Sequence, residues 1–339
     1  MNLINMDKLL TIVVPVYKVE QYINKCLDSL IIESKLMDKM DVLIINDGTP
    51  DNSAELSREY VKKYPTVFRQ IDKENGGHGS VWNMGLKEAY GKYTRFLDSD
   101  DWLENLDLLI EQLEQTDADL VITPTICHCE NNALWTLEIK DMEFGKVYDA
   151  NTFDWLGNRS HGNYIFHHSC TYKTTMFRQY LPLFLEKQPY DDVVLGAASI
   201  IGANSLVAYD FPLYHYLMDR PGQSISIEVQ RRNICASIKT WQHTIEFAEE
   251  HPVLEGTTKA KYHAIKHPKR YNYGYRTILD QLSYKDAKHF SREWDKWALN
   301  QNPFISTLWI KAYRLMPFYC YWCMYKILVQ IQKLYHKLK

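Results

Sequence analysis

The chain predicts an α/β fold: a Rossmann-like, mostly parallel sheet flanked by helices, followed by an α-helical C-terminal region. Three observations predict it. Short apolar runs rich in Val, Ile and Leu alternate with amphipathic stretches through the first third of the chain. Each run ends in polar residues, which sets those residues along one edge of a parallel sheet. Beyond Arg231 the apolar spacing becomes helical.

The elements follow in order. Leu9 to Val16 is a continuous apolar run, as in a strand buried on both faces, and Pro15 and Tyr17 mark its end. Glu20 to Leu30 is an amphipathic helix carrying Tyr22, Ile23, Leu27 and Leu30 on one face. Val42 to Ile45 is a second buried strand that runs into Asn46-Asp47-Gly48-Thr49, and Ser53 to Tyr64 is a second helix. Phe68 to Ile71, a helix from Val81 to Ala89, and a strand from Tyr93 to Leu97 complete a β-α-β-α-β-α-β series with right-handed crossovers. A helix from Asp107 to Gln115, a strand from Asp119 to Thr125 and an edge excursion from Leu134 to Phe144 follow. The helix Val193 to Ile201 and a last strand around Pro212 to Tyr216 precede helices at 233–250, 257–282 and 284–299.

A length of 339 residues suits two domains, or one with an appendage. The net charge of −3 excludes the strongly basic class that binds nucleic acid. Seven cysteines, an odd number without regular spacing, and no secretory signal point to reduced thiols and a cytoplasmic setting. Cys127-His128-Cys129 and Cys320-x-x-Cys323 lack a matching second pair at zinc-site spacing.

The chemistry concentrates at Asp98-Ser99-Asp100-Asp101. Carboxylates delivered at the end of a buried strand are hard oxygen ligands that can share a divalent cation and its phosphate oxygens. The competing reading is a capped helix start, since Asp favours the positive end of a helix. Gly76-Gly77-His78-Gly79 precedes a helix and lets backbone approach a phosphate. It lacks the Gly-Lys-Ser/Thr of a P-loop, and a tight loop without ligand competes with it. Asp191-Asp192 precedes the 193–201 helix, where capping accounts for one carboxylate. A carboxylate there can also take the proton of an attacking hydroxyl.

Four motifs in order carry a resemblance: Val13-Val14-Pro15-Val16-Tyr17-x-x-Glu20, Asn46-Asp47-Gly48-Thr49, Glu74-Asn75-Gly76-Gly77 and Phe96-Leu97-Asp98-Ser99-Asp100-Asp101. The sequence resembles the family 2 inverting glycosyltransferases of GT-A fold that build bacterial surface polysaccharides. The resemblance covers about residues 9–125, and more loosely the chain to 226.

It implies a catalytic domain over 1–226, with a nucleotide-sugar half at about 9–125 and an acceptor half at about 126–226, and a helical region over 227–339. It implies that Tyr17 and Glu20 lie beside base and ribose with Pro15 and Val16, and that Asp47 accepts from the uracil of a UDP-sugar. Asn75, Gly76, Gly77, Asn83 and Ser99 complete the donor site. Asp98 would face the ribose, and Asp98 and Asp100 would hold Mn2+ or Mg2+ against the diphosphate. Asp192 would be the general base and Asp191 its orienting partner, and His168 and Lys173 would meet the acceptor.

Arg220 is a lid candidate over the diphosphate, and His215 a further candidate metal ligand. One departure stands out: the family's basic residue is replaced in Val81-Trp82-Asn83, so Trp82 packs and His78 is the candidate for the missing polar contact.

From Pro303 to Lys339 the charged residues are all basic and are interleaved with Trp and Tyr. Such a tail suits the interface of an anionic membrane, or a contact with a partner or a second copy of the chain. The enzyme implied is an inverting transferase acting on a growing, lipid-linked glycan at the inner face of the membrane. A sugar nucleotidyltransferase and a non-catalytic nucleotide-sugar-binding scaffold are the competing functions.

Overall fold

The computed structural model describes residues 8–129, 134–139, 142–156, 167–218, 229, 232–305 and 307–337. Its centre is β1 (Lys8–Val16), which pairs in parallel with β2 (Met40–Asn46) on one side and β4 (Gly91–Phe96) on the other. With β3 (Phe68–Asp72), β6 (Leu120–Ile122), β9 (Tyr148–Asp149), β10 (Cys170–Lys173) and β11 (Ser205–Ala208) these form an eight-stranded sheet ordered β3-β2-β1-β4-β10-β6-β11-β9. β10 and β9 run antiparallel to their neighbours. The mostly parallel α/β sheet and helical C-terminal region are therefore as the sequence predicts.

Alternation along β1 feeds two apolar layers. Val13 faces α4 (His78–Glu88) and packs with Trp82, Leu86 and Phe96. Ile12 and Val14 face α1 (Ile23–Asp28) and α5 (Leu106–Gln115), joining Leu27, Leu106 and Leu109. The short α2 (Ser34–Met37) precedes β2, α3 (Ser53–Lys63) completes the crossover from β2 to β3, and the short α6 (Thr174–Arg178) follows β10. Burial on both faces explains why these strands read as continuous apolar runs.

One expected strand is divided in two. The single strand expected over 119–125 is β6 followed by β7 (Thr125–His128), because Pro124 offers no N–H to the ladder and the chain turns away. β7 enters a second, four-stranded sheet ordered β5-β12-β7-β8, built with β5 (Trp102–Leu103), β8 (Leu134–Leu137) and β12 (Tyr214–Leu217). The last strand thus belongs to this smaller sheet. Asp101 fastens it: Tyr214 Oη donates to Asp101 Oδ2 at 2.6 Å and the Leu217 N–H to Oδ1 at 2.8 Å.

The C-terminal region comprises α8 (Ile234–Glu250), α9 (Thr258–Gln281), α10 (Tyr284–Gln301), α11 (Leu308–Leu315) and α12 (Phe318–Lys337). Thr257, Ser283 and Thr307 cap α9, α10 and α11 by accepting from the N–H three residues on. Tyr271, Tyr275, Ile278, Trp294 and Tyr321 form the core of this region. Gly274 lets α10 approach α9, since a Cβ there would overlap the Trp294 indole. α8 also docks on the sheet-bearing part: Thr240 Oγ1 donates to the Pro189 carbonyl at 2.9 Å, and His243 Nε2 lies 2.7 Å from the Leu183 carbonyl. No helix among the described residues is long and apolar enough to cross a membrane.

Candidate active site

The C-terminal ends of β1, β2 and β4 open onto one cleft of about 500 Å3. Of the predicted residues, Pro15, Val16, Tyr17, Asp47, Asn75, Gly77, His78, Asp98, Ser99, Asp100, His168, Asp191 and Asp192 line it. Val19, Val81, Trp82, His167, Pro189, Tyr190 and Tyr216 also line it, beyond the predicted set.

The glycine loop is held by Asp47. Its Oδ1 accepts from Lys73 Nζ at 2.6 Å and from the Gly76 N–H at 2.8 Å, and its Oδ2 accepts from the Gly77 N–H at 2.9 Å. The loop needs glycine at 77, where φ is +82°. Asp47 is therefore a buried staple for the loop as well as a wall of the cleft.

Asp98 lies between two imidazoles. His78 Nε2 is 3.2 Å from its Oδ1, and His167 Nε2 is 3.1 Å from its Oδ2. The other nitrogen of His78, Nδ1, is 3.3 Å from Asp191 Oδ2. Burial opposes a charge on His78, but the hydrogen bonds to Asp191 and Asp98 outweigh it and raise its pKa to about 10, with 37% of the side chain still open to the cleft. Burial likewise works to raise Asp98, and the charge and hydrogen bond of His167, with those of His78, carry it well below the ordinary carboxylate value. Trp82 packs as the sequence suggests, stacked on Phe96 with centroids 4.3 Å apart and fully buried, while His78 supplies the polar group.

Asp191 occupies the N-cap position of α7 (Asp192–Gly202), yet its side chain makes no capping hydrogen bond. Capping alone does not account for it. Gly79 permits its approach: a Cβ there would lie 2.8 Å from Asp191 Oδ1. Asp192 follows, half-buried, and burial raises its carboxyl above the ordinary value against the opposing charges of His167 and His78. Tyr190, immediately before, has φ +72°, a conformation that costs a non-glycine residue about 1–3 kcal/mol and is found mainly at functional sites.

Several predicted residues stand elsewhere. Glu20 accepts from Asn52 Nδ2 at 2.9 Å and so braces the loop after β2 instead of entering the cleft. Gly76 is drawn into the loop, its carbonyl accepting from the Lys187 N–H at 2.6 Å. Asn83 clamps the Phe184 backbone, donating to its carbonyl at 2.8 Å and accepting from its N–H at 3.0 Å. Lys173, expected at the acceptor, does not line this cleft. β10 runs antiparallel to β4 and pairs Lys173 with Tyr93, at the end away from Asp98, where Lys173 Nζ donates to Asp117 at 2.8 Å. His215 faces His128, 2.8 Å away, and Glu104 instead of the cleft. Arg220 lies outside the described residues.

The residues fit a divalent cation in part as expected. Among the described residues, Asp98, His167 and His168 bring a carboxylate oxygen and two ring nitrogens within 4.8 Å of one another. His167 Nδ1 is buried without a hydrogen-bond partner, an orphan that a bound ion would satisfy. Burial, then the neighbouring His167, lowers the His168 pKa well below its ordinary value, which leaves a neutral imidazole. Buried Arg95 holds His168 there, donating to its carbonyl and, at 2.8 Å, to Thr171 Oγ1. Asp100 lines the same cleft but does not join this cluster, because the chain turns at Asp98, whose carbonyl accepts from the Asp101 N–H at 3.0 Å.

The site is thus a cleft at the strand ends of a mostly parallel sheet, with paired carboxylates on one side and a third carboxylate across it. Residues 11–180 match the model of glycosyl transferase family 2, and the chain belongs to that family. It is 29% identical over 261 residues to the putative glycosyltransferase EpsH of Bacillus subtilis, spanning 72% of this chain and 70% of that one. It is 33% identical over 146 residues to glycosyltransferase GlyA of Streptococcus pneumoniae, covering 42% of this chain but only 20% of that protein. The fold is that of S. aureus TarS 1–349, solved with UDP-GlcNAc, at a TM-score of 0.50 and 18% identity over 85% of this chain and 88% of that one.

Proposed function

We propose that this protein transfers a sugar, with inversion, from a UDP-sugar to a hydroxyl of a growing, lipid-linked glycan in surface polysaccharide synthesis. One observation carries the reading: Asp98 and Asp100, at the end of β4, share one cleft with Asp192, and His78 bridges the two sides. The nucleotide would lie against Tyr17, Asp47 and the glycine loop. The acceptor hydroxyl would attack the anomeric carbon from the face opposite the diphosphate. As the new C–O bond forms and the sugar–phosphate bond breaks, Asp192 would take the hydroxyl proton. Its raised pKa matches that work. Asp98 and His168 would hold Mn2+ or Mg2+, and Asp100 would act on the ion from the same cleft, outside their cluster; the ion when bound would neutralise charge on the leaving nucleoside diphosphate. His78, as a cation, would add to that neutralisation and orient Asp191.

The reading also seats the protein on the cytoplasmic face of a membrane through its C-terminal tail. Phe304, Leu308, Leu315 and Tyr319 are exposed there, close in sequence to Lys311 and Arg314. Loss of binding to anionic liposomes on removal of 303–339 supports this, and unchanged binding refutes it.

Calorimetric titration with UDP, GDP and dTDP, each with Mn2+ and with EDTA, tests the donor site. UDP binding that needs metal and is lost in Asp100→Ala supports the reading. Absence of metal-dependent nucleotide binding refutes it.

A further inference from the structure

A second cleft, of about 320 Å3, adjoins the first, and Tyr190 and Asp192 line both. Apart from Val193 of α7, its remaining walls come from α8 and α9. Tyr273, Arg276, Thr277, Asp280 and Gln281 stand at helical positions i, i+3, i+4, i+7 and i+8 of α9, and Ser237, Thr240 and Trp241 at i, i+3 and i+4 of α8. Each set is therefore one stripe of its helix. The α9 stripe lies beside the one that packs Tyr271, Tyr275 and Ile278 into the helical core. A solvated helix face carries mainly Lys and Glu, whereas these stripes carry aromatics, hydroxyls, an amide and a charged residue of each sign.

The aromatics are placed as a wall. Trp241 and Tyr273 are stacked with centroids 5.0 Å apart and planes 25° apart. Asp280 is fixed in place, accepting from Tyr325 Oη at 2.6 Å, and Thr240 binds the Pro189 carbonyl next to strained Tyr190. An apolar aromatic surface with a few fixed hydrogen-bonding groups suits a ring that has an apolar C–H face and a rim of hydroxyls.

We infer that this second cleft is the acceptor subsite, and that it binds a pyranose ring of the acceptor glycan against Trp241 and Tyr273 so that one hydroxyl meets Asp192. The inference rests on the proposed transferase reading and adds the seat of the acceptor. The C-terminal helices are then part of the site, and acceptor choice resides in α8 and α9.

The test is saturation-transfer NMR on the full chain with methyl glycosides of glucose, galactose and N-acetylglucosamine and their β-linked disaccharides. Two variants of opposite kind accompany the wild type: Trp241→Ala, which removes the wall, and Thr277→Trp, which fills the cleft, with thermal melts to verify folding. At least one saccharide should bind the wild type, and each variant should weaken it roughly tenfold, the order expected for one lost aromatic contact. No binding by any saccharide, or binding unchanged in both variants, overturns the subsite. UDP binding is followed separately by calorimetry, and its absence overturns the donor reading without altering the saccharide result.

Discussion

Asp191 directs its carboxylate to His78 and not to the helix it precedes, with Oδ2 3.3 Å from Nδ1. The opposite nitrogen of the same ring meets Asp98. One cation thus joins the carboxylate at the end of β4 to the carboxylate beside the proposed base.

Replacing that cation should uncouple the two sides. His78→Ala is expected to lower turnover roughly 10- to 100-fold, the size of a lost charge-assisted hydrogen bond, and to weaken donor binding as well. Steady-state UDP release gives both constants. Unchanged values would make His78 mere scaffold.

Asp192→Asn should lower turnover by roughly 10²- to 10⁴-fold while nucleotide affinity is kept. The pH profile adds a second check. The base acts as a carboxylate, so activity falls as pH drops through its pKa, and burial places that limb above the usual carboxylate range. The limb should vanish in the variant's residual rate. Collapse of nucleotide affinity would instead mark Asp192 as structural.

Gly274→Ala tests the helical core. Alanine gains about 1 kcal/mol of helix propensity, and overpacking costs about 1–3 kcal/mol. Trp294 has no room to yield: it is buried, and its Nε1 donates to the Tyr271 carbonyl at 3.1 Å. The clash should win, and a thermal melt should show a lower midpoint.

His263 on α9 gives a pH signature of stability. Burial first, then His267 and Arg270, push its pKa down to about 4, below the ordinary 6.5. The unfolded chain therefore binds the proton more readily, so stability present above pH 6.5 is lost as pH falls toward 4. His263→Leu should flatten denaturation midpoints across that window. An unchanged acid slope would assign it to other groups.

The sequence disclosed what depends on local pattern. The runs forming β1, β2 and β4 are apolar because both faces are buried, Asp47, Asp98 and Asp100 stand just past the ends of β2 and β4, and Asp192 opens the later helix α7. What it withheld depends on contacts across the chain. Glu20 and Asn83 carry the expected residue types, but Asn52 and the Phe184 backbone take their side chains. Lys173 is set apart by the antiparallel direction of β10, which no local pattern encodes. His167 meets Asp98 in the cleft across 69 residues of chain, Nε2 to Oδ2 at 3.1 Å. Pro124 was a legible signal, since a proline inside an expected strand argues against its continuity.

The contacts between α4 and the segment before α7 bear on how such a protein can be recombined. The family match ends at residue 180, and Asp191, Asp192 and the α8–α9 wall all follow it. A graft joined near that point would carry the proposed base and the proposed acceptor wall together as one cassette and leave the proposed nucleotide half in place. Beside the strand pairing of β11 and β12, three couplings tie α4 and its loop to the segment before α7: Gly76 to Lys187, Asn83 to Phe184 and His78 to Asp191. The first two use the backbone of the incoming segment, so they tolerate almost any sequence there. Of these three only the last demands a particular side chain, so an incoming segment needs a carboxylate at 191, just as its last strand needs the Tyr214 hydroxyl that meets Asp101.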